Sequence, residues 1–363
     1  PTHPQAVKAR WASIVTNMGC GASAPAPDGD GGPTPAAAAS APPTASNELD
    51  LTERGLNVLP ALDPSLEKLI AADNELTALP PSIGSLSNLK NLDASGNQLT
   101  VLPVEIASCS SLEELLLFKN QLKELPKELG SVKTLTLMNL FNNKLRKIPN
   151  ELGELPNLEE VNIAANKLMM VADAAFANWA SVKILSLYDN NLVRLGSLAP
   201  LTGLTELRLY GNNLEQMPVF SSAPALEVFE IHQNRISSIE DDYFTKLPGL
   251  KRFIASNNSI TALPSSLCAC AVLEQVQVHE NQLASLPTGM PWPSTLVTLF
   301  IQGNPGLTAL PPELAKCSNM LRCNVSRLPI DGASGGTVDA LQKICIGKKG
   351  GAFWDLSGTK HDG

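Results

Sequence analysis

Residues 112–126 read LEELLLFKNQLKELP. Leu115 and Leu117 are separated by one residue, and this period of two places both side chains on one face of a short strand. Asn120 follows where the chain must turn, and its short amide is suited to bonding the backbone groups that the turn exposes. The stretch therefore predicts one short strand that ends in an asparagine turn.

The same frame recurs along the chain at a nearly constant period. It reads L-x-x-L-x-L-x-x-N-x-L-x-x-L-P, and successive copies of its asparagine lie 22 to 24 residues apart. The copies are Asn74, Asn97, Asn120, Asn143, Asn166, Asn190, Asn212, Asn234, Asn258, Asn281 and Asn304. One copy cannot bury its leucines alone, so the repeats predict a solenoid in which neighbouring copies share a continuous leucine core.

The frame is that of the leucine-rich repeat, and this chain is identified as a member of that superfamily. Its 23-residue units with Leu-Pro followed by Ile-Gly, as at Ile83-Gly84, resemble the plant intracellular Ras-group-related leucine-rich repeat proteins and the animal Ras/phosphatase leucine-rich repeat scaffold. The resemblance covers residues 49 to 330. It implies an α/β horseshoe with a concave parallel β-sheet and a convex side of turns, 3-10 segments and short helices. It also implies a cytosolic adaptor without a catalytic domain.

The composition divides the chain into three parts. Residues 1–45 are rich in Ala, Pro, Gly and Ser, and we expect this segment to be disordered. Residues 46–331 hold about 12 to 13 repeats, and residues 332–363 form a C-terminal cap helix and tail. In that helix Thr337 is the expected N-cap, Val338, Leu341, Ile344 and Cys345 space an apolar face, and Gly347 is the expected stop. We expect the rings of Phe353 and Trp354 to pack under this cap, with a docking peptide as the alternative.

Charge and cysteine content narrow the class of protein. The net charge is −8 and no basic run exceeds the Lys348-Lys349 pair, so we expect no nucleic-acid partner. Seven scattered cysteines, an odd number, and the lack of a cysteine cluster at the entry to the array favour the cytoplasm. We read Cys268 and Cys270 as packing residues rather than a metal or redox pair, and we expect no cofactor and no metal.

A second signal lies ahead of the repeats. Met18-Gly19-Cys20-Gly21-Ala22-Ser23 matches the N-myristoylation pattern, with the site at residues 18–23. We expect Met18 to be the initiator and residues 1–17 to lie upstream of it. Gly19 would then carry a myristoyl chain and Cys20 a palmitoyl chain, which together tether the protein to the cytoplasmic face of a membrane. A transit peptide and an uninformative segment remain the alternatives.

The variable strand positions predict where a partner binds. The residues just after each L-x-L pair include an aromatic series from Phe118 to His232, and the residues between the two leucines lie beside them. We expect both columns to point to solvent, where apolar side chains are costly unless a partner covers them. The predicted partner-binding residues are Leu116, Phe118, Phe141, Tyr188, Arg208, Tyr210, Glu230 and His232. Ala164 interrupts the series, and we expect a notch there between Phe141 and Tyr188. The alternative is that the rings stack across strands and only stabilise the sheet.

These features predict a non-catalytic scaffold or adaptor in signalling, monomeric, with a protein partner such as a small GTPase or a signalling enzyme. His232 with Glu230, and His279 with Glu280, are the only pairs that suggest acid–base chemistry, and the repeat places no nucleophile beside them. No Walker loop, kinase motif or G-x-S-x-G elbow occurs. The alternatives are a soluble regulatory subunit of a phosphatase or other enzyme, or a cytoskeletal or immune-type adaptor, without a lipid anchor.

Overall fold

A computed structural model describes residues 47–330, 335–346, 353–355 and 357. Each repeat contributes one three-residue strand to a single parallel sheet, in which every strand pairs in register with the strand of the next repeat. The strands are β1 (Glu48–Asp50), β2 (Lys68–Ile70), β3 (Asn91–Asp93), β4 (Glu114–Leu116), β5 (Leu137–Asn139), β6 (Glu160–Asn162), β8 (Ile184–Ser186), β10 (Glu206–Arg208), β11 (Val228–Glu230), β12 (Arg252–Ile254), β13 (Gln275–Gln277), β14 (Thr298–Phe300), β15 (Arg322–Asn324) and β16 (Phe353–Asp355). The described part of the chain therefore forms an open sheet of 14 strands, as expected of a horseshoe solenoid.

A second layer consists of 3-10 helices on the convex side. They span Pro81–Ser85, Val104–Ser108, Lys127–Ser131, Asn150–Glu154, Asp173–Phe176, Tyr243–Lys246, Ser265–Ala269 and Pro312–Lys316. Two further strands, β7 (Met170–Val171) and β9 (Arg194–Leu195), pair with each other in a separate two-stranded sheet. Within the described ranges, no helix combines the length and apolar content needed to cross a membrane.

The leucine core lies between the sheet and the 3-10 layer. In the large sheet the central residue of each strand from β2 to β15, such as Leu115 or Leu207, is fully buried, because alternate residues of a strand point to the same face. Extra bulk fills the 24-residue units, where the rings of Phe176, Trp179 and Phe244 are fully buried or nearly so. The indole Nε1 of Trp179 donates a hydrogen bond to the Leu152 carbonyl at 2.8 Å, so the N–H of this buried ring keeps a hydrogen-bond acceptor.

The repeated asparagines form the predicted ladder. The side-chain Nδ2 of Asn143 donates to the carbonyls of Leu117 and Leu140, at 2.9 and 3.0 Å, and its Oδ1 accepts from the backbone N–H of Leu122 at 3.0 Å. Leu117 and Leu122 belong to the preceding repeat, so each asparagine joins two turns of the solenoid. The residue before every ladder asparagine has a positive φ, between 50° and 67°. This left-handed turn costs about 1–2 kcal/mol at a non-glycine residue, and the hydrogen bonds of the asparagine offset that cost.

Close approach of neighbouring 3-10 helices explains the glycine of the Ile-Gly motif. A Cβ built on Gly130 would lie 2.2 Å from the carbonyl oxygen of Glu151, and one on Gly153 would lie 1.8 Å from that of Ala174. Both contacts are with the backbone of the next repeat, which cannot move aside as a flexible side chain does. The glycine is therefore required by the spacing between repeats.

The C-terminal cap differs in part from the sequence prediction. Helix α1 spans Gly335–Ile346, so it begins before Thr337, and the assignment of Thr337 as N-cap is wrong. Val338, Leu341 and Cys345 are buried and Ile344 packs against the core, as the predicted apolar face requires. Beyond the helix, β16 pairs with β15, with Cys323 opposite Trp354. The tail thus adds a strand to the sheet that the repeat pattern does not predict.

The remaining predictions about the ends of the chain concern residues outside the described ranges. The expected disordered segment, residues 1–45, and the acylation site at residues 18–23 lie outside them. The expected helix stop at Gly347 also lies outside, and the described part of the helix spans Gly335–Ile346.

Candidate partner-binding face on the concave sheet

All eight predicted site residues lie on the solvent face of the central strands. Leu116, Arg208 and Glu230 are the last residues of β4, β10 and β11. Phe118, Phe141, Tyr188, Tyr210 and His232 follow two residues after the ends of β4, β5, β8, β10 and β11, and we call these five the aromatic row. Each of the eight is half-buried.

The aromatic row is divided into a stacked part and a separate phenylalanine. The rings of Tyr188 and Tyr210 stack with centroids 4.5 Å apart, and those of Tyr210 and His232 stack at 4.4 Å. Phe141 contacts Tyr188 in a tilted arrangement at 6.2 Å. Phe118 makes no ring contact with another aromatic residue in the described part of the chain. The cross-strand stacking that the sequence left as an alternative is therefore present along most of the row.

The notch expected at Ala164 is absent. Phe141 and Tyr188 follow β5 and β8, which are separated by β6, so backbones about 9.6 Å apart are expected from the spacing of strands. Their ring centroids are only 6.2 Å apart, and Ala164 between them is 0% exposed. The two rings lean over the small residue and close the gap, so no partner side chain can enter there without moving them.

Part of the column between the leucines is also buried, contrary to the expectation that this column points to solvent. Asn139, Asn162 and Ser186 are at most 2% exposed. The Oδ1 atoms of Asn139 and Asn162 accept hydrogen bonds from the backbone N–H two residues later, at 3.1 and 3.0 Å. These amides hold the end of each strand in position beneath the aromatic row. Among the described residues, the Nδ2 of Asn139 has no hydrogen-bond partner.

Arg208 and Glu230 belong to a network of ion pairs beside the rings. The Nη2 of Arg208 donates to Glu206 at 2.5 Å, and Nε of Arg208 lies 3.8 Å from Glu230. Glu230 also lies 3.6 Å from the guanidinium of Arg252, whose Nε donates to Gln275 at 3.1 Å. The side chains of Glu206 and Glu230 are only 13 to 14% exposed, so water screens these charges less than it screens a surface pair. The network contains two carboxylates and two guanidiniums, so its four charged side chains have no net charge.

Glu206, Arg252 and Gln275 also lie on this face, although the sequence pattern did not predict them. They lie one position before the central residue of their strands, outside the two columns from which the site was predicted. Because residues two apart on a strand share a face, the pair Glu206 and Arg208 could have been found from period-two spacing alone.

Burial shifts the pKa values of the titratable rings in the aromatic row. Burial lowers the pKa of His232, and the charge of His279 lowers it further. Burial also raises the pKa values of Tyr188 and Tyr210, with nearby Asp189 acting in the same direction. At neutral pH the side chains of the aromatic row are therefore uncharged.

The face lacks the arrangement expected of a catalytic or metal centre. Glu230 is engaged by Arg208 and Arg252 rather than by His232. In the described ranges, no three His, Cys, Asp or Glu side chains converge to hold a metal ion. Cys268 and Cys270 are buried free thiols that pack in the leucine core, and burial raises their pKa values to about 11.

Comparison with known proteins agrees with the repeat architecture. The sequence profile of the family described as leucine rich repeat matches residues 64–122, 156–214 and 224–283. No curated protein sequence matches the chain at a significant level.

Several solved structures share this architecture. A leucine-rich-repeat protein of Leptospira interrogans is 26% identical, with a TM-score of 0.53 over 84% of this chain and 95% of its own. FLRT2, in an octameric complex with latrophilin 3 and Unc5D, is 18% identical, with a TM-score of 0.59 over 86% of this chain and 90% of its own. The leucine-rich-repeat domain of APL1B is 20% identical, with a TM-score of 0.56 over 78% of this chain and 77% of its own. Leucine-rich repeats of this kind suggest a protein-interaction scaffold. The chain is therefore a leucine-rich-repeat protein, with the horseshoe solenoid of that family.

Proposed function

We propose that this protein is a non-catalytic scaffold that binds a protein partner through the concave face. The observation that carries the proposal is the aromatic row, which places half-buried rings side by side in the middle of the concave face. Tyrosine and arginine are among the residues that contribute most to binding when they lie at the centre of an interface. The structure of FLRT2 in a complex with latrophilin 3 and Unc5D is an example of a protein with this fold in an assembly.

The stacked rings are suited to binding because they are already ordered. Tyr188 and Tyr210 stack nearly parallel, with an angle of 12° between their ring planes. A partner that docks against them immobilises few additional side chains, so little conformational entropy is lost on association. Leu116 and Phe118 extend the apolar contact toward β4, and the Glu206, Arg208, Glu230 and Arg252 network supplies a polar rim.

Affinity capture from eukaryotic cells tests this proposal. The wild-type chain is compared with the double variant Tyr188→Ala/Tyr210→Ala and with the matched control Tyr188→Phe/Tyr210→Phe, which keeps the stacked rings. We expect the alanine variant to lose the proteins that the wild type captures, while the phenylalanine variant retains most of them. Identical sets of proteins on all three baits would contradict a concave binding site.

We further propose that the partner is a signalling protein, such as a small GTPase or a signalling enzyme, and that the monomeric scaffold meets it at the cytoplasmic face of a membrane. The support for the anchor is the myristoylation pattern, in which Gly19 receives a myristoyl chain and the adjacent Cys20 a palmitoyl chain. A single myristoyl chain gives only marginal membrane binding, so both modifications are needed.

Intact mass spectrometry with membrane fractionation tests the anchor. Protein made from its native transcript should begin at Gly19, carry added acyl mass and appear in the membrane pellet. A Gly19→Ala variant should lose both the acyl mass and the pellet signal. An unmodified chain that starts upstream of Met18 would refute the anchor without affecting the proposed concave site.

A further inference from the structure

Basic residues cluster on the side of the solenoid that follows the asparagine ladder. Three positions recur there, one, three and four residues after each ladder asparagine. In the four repeats that begin at Asn120, Asn143, Asn166 and Asn190, these positions hold six basic residues and one acidic residue, Glu124. All six basic residues are exposed, and they are Lys123, Lys144, Arg146, Lys147, Lys167 and Arg194.

The cluster is confined to these neighbouring repeats. In the other repeats that begin between Asn74 and Asn281, the same three positions hold one basic residue, Arg235, and two acidic residues, Glu75 and Glu215. The chain as a whole has a net charge of −8. The basic residues therefore form a local surface whose charge is opposite to that of the protein.

Backbone hydrogen bonds hold the clustered residues side by side. The N–H of Lys144 donates to the Leu122 carbonyl at 2.9 Å, and the N–H of Lys167 donates to the Leu145 carbonyl at 2.8 Å. The Nζ of Lys144 donates to the neutral side chain of Gln121 at 2.8 Å. Side chains from adjacent repeats thus project from one continuous ledge of backbone.

The clustered residues differ in ion pairing from lysines on the opposite side, which precedes the strands. There, the Nζ of Lys90 lies 2.7 Å from Glu67, and the Nζ of Lys183 lies 2.7 Å from Glu159. Within the described ranges, none of the six clustered basic groups has a carboxylate within 4.0 Å. Their charge is therefore free to attract an anionic surface outside the molecule.

Exposed apolar side chains adjoin the basic residues. Met169 and Met170 are 63% and 54% exposed, and Val193 is 46% exposed. Met170 pairs with Arg194 between β7 and β9, and the N–H of Val193 donates to the Met169 carbonyl at 3.0 Å. Grouped apolar side chains that water covers mark a contact site. We call the six basic residues together with Met169, Met170 and Val193 the basic side face.

The chemistry of the basic side face favours an anionic membrane. Lys and Arg are attracted by the negative surface potential of such a membrane, while apolar side chains beside them enter the headgroup region. Glu128 and Glu151, which follow in these repeats, are half-buried residues of the convex 3-10 helices. Acidic residues farther than about 8 Å from the membrane are screened at physiological ionic strength, so they do not cancel this attraction.

We propose that the basic side face lies against a membrane surface that contains anionic lipid. The contact rests on the membrane location proposed above, and it adds an electrostatic attraction to that of the acyl chains. It also fixes which side of the solenoid meets the bilayer. The aromatic row lies on the concave face, so it stays open to a partner protein while the basic side face is occupied.

Vesicle sedimentation of the full chain, made without acylation in bacteria, tests this face independently of the acyl anchor. We expect binding to vesicles with about 30% phosphatidylserine, none to pure phosphatidylcholine, and weaker binding at high salt. Lys144→Glu/Lys167→Glu should weaken binding by at least about tenfold, since each basic residue near the surface strengthens it roughly fivefold. Lys90→Glu/Lys183→Glu, the same change in net charge on the opposite side, should bind like the wild type.

A fluorescence measurement locates the contact on the chain. Met169→Trp should add a tryptophan signal that brominated phosphatidylcholine quenches in the phosphatidylserine vesicles, because the side chain enters the headgroup region. The control is Val58→Trp, at a valine that is 75% exposed in the first repeat. This control should show no quenching beyond that of the wild type.

Several outcomes would refute the membrane contact. They are absence of binding to phosphatidylserine vesicles, an equal loss in both charge-reversal variants, and equal quenching at positions 169 and 58. Binding of soluble polyglutamate but not of vesicles, lost in Lys144→Glu/Lys167→Glu, would instead assign the face to an acidic segment of a partner protein. The acyl anchor is judged separately, because in cells Gly19→Ala should remove the acyl mass, whereas Lys144→Glu/Lys167→Glu should keep it.

Discussion

Replacing Asn143 with alanine tests whether the asparagine ladder holds the repeats together. The substitution removes hydrogen bonds to Leu117, Leu122 and Leu140. The two carbonyls keep a second donor, because Leu117 also accepts from Asn120 at 3.1 Å and Leu140 from Asn166 at 3.0 Å. The N–H of Leu122 has no other acceptor in the described part of the chain, and this residue is fully buried.

These contacts set the size of the expected effect. One buried N–H left without a partner costs about 1–3 kcal/mol, and each of the two lost carbonyl bonds costs about 0.5–1.5 kcal/mol. The free energy of unfolding should therefore fall by about 2–6 kcal/mol. Asn213→Ala is the matched control, because it removes the same side chain one residue after a ladder position. Among the described residues, only the backbone of Asn213 forms a hydrogen bond, to the Leu192 carbonyl at 2.9 Å.

A local measurement is the most decisive, since long repeat arrays often unfold in sections rather than in one step. Amide hydrogen exchange of Leu122 should accelerate by at least about tenfold in the Asn143→Ala variant, which corresponds to about 1.4 kcal/mol. The urea midpoint should fall as well, and Asn213→Ala should change neither quantity appreciably. Unchanged protection at Leu122, or an equal effect of the control, would refute the ladder as the source of stability.

Three other changes have outcomes that follow from particular contacts. Gly153→Ala should lower the free energy of unfolding, measured by urea denaturation, by about 1–3 kcal/mol, because the new Cβ would lie 1.8 Å from a carbonyl oxygen of the next repeat. The control Gly336→Ala, where the new Cβ has no neighbour within 4 Å, should not destabilise the protein. Equal urea midpoints for the two variants would contradict the close approach. Tyr188→Ala/Tyr210→Ala should lower the thermal midpoint modestly, since cross-strand aromatic pairs each contribute about 0.2–1 kcal/mol, and a collapse of the fold would show that the rings serve the sheet rather than a partner. Burial lowers the pKa of His232 below 6.5, so the folded state binds fewer protons than the unfolded state, and stability falls as the pH drops through that range. His232→Phe should therefore reduce the difference in urea midpoint between about pH 7.5 and about pH 5. An undiminished difference would show that His232 is not the source of this pH dependence.

The sequence by itself determines the repeating parts of this protein. The period of the asparagines, the two-residue spacing of the leucines and the glycine of Gly84 or Gly153 specify one strand, one turn and one close approach in every unit. These features are local, and they depend on contacts with the adjacent repeat alone. The parallel sheet, the core and the direction of the aromatic row were therefore predictable from spacing.

Only the tertiary structure decides how side chains from different repeats meet. Period-two spacing says that Phe141 and Tyr188 share a face, but not that they lean over Ala164 and close the expected notch. Nor does it give the ion pair from Arg208 to Glu230, because this contact depends on distances across neighbouring strands. The reason is physical: a repeat motif constrains the backbone and the core, whereas solvent-facing side chains choose among rotamers according to the neighbours that the assembled solenoid provides.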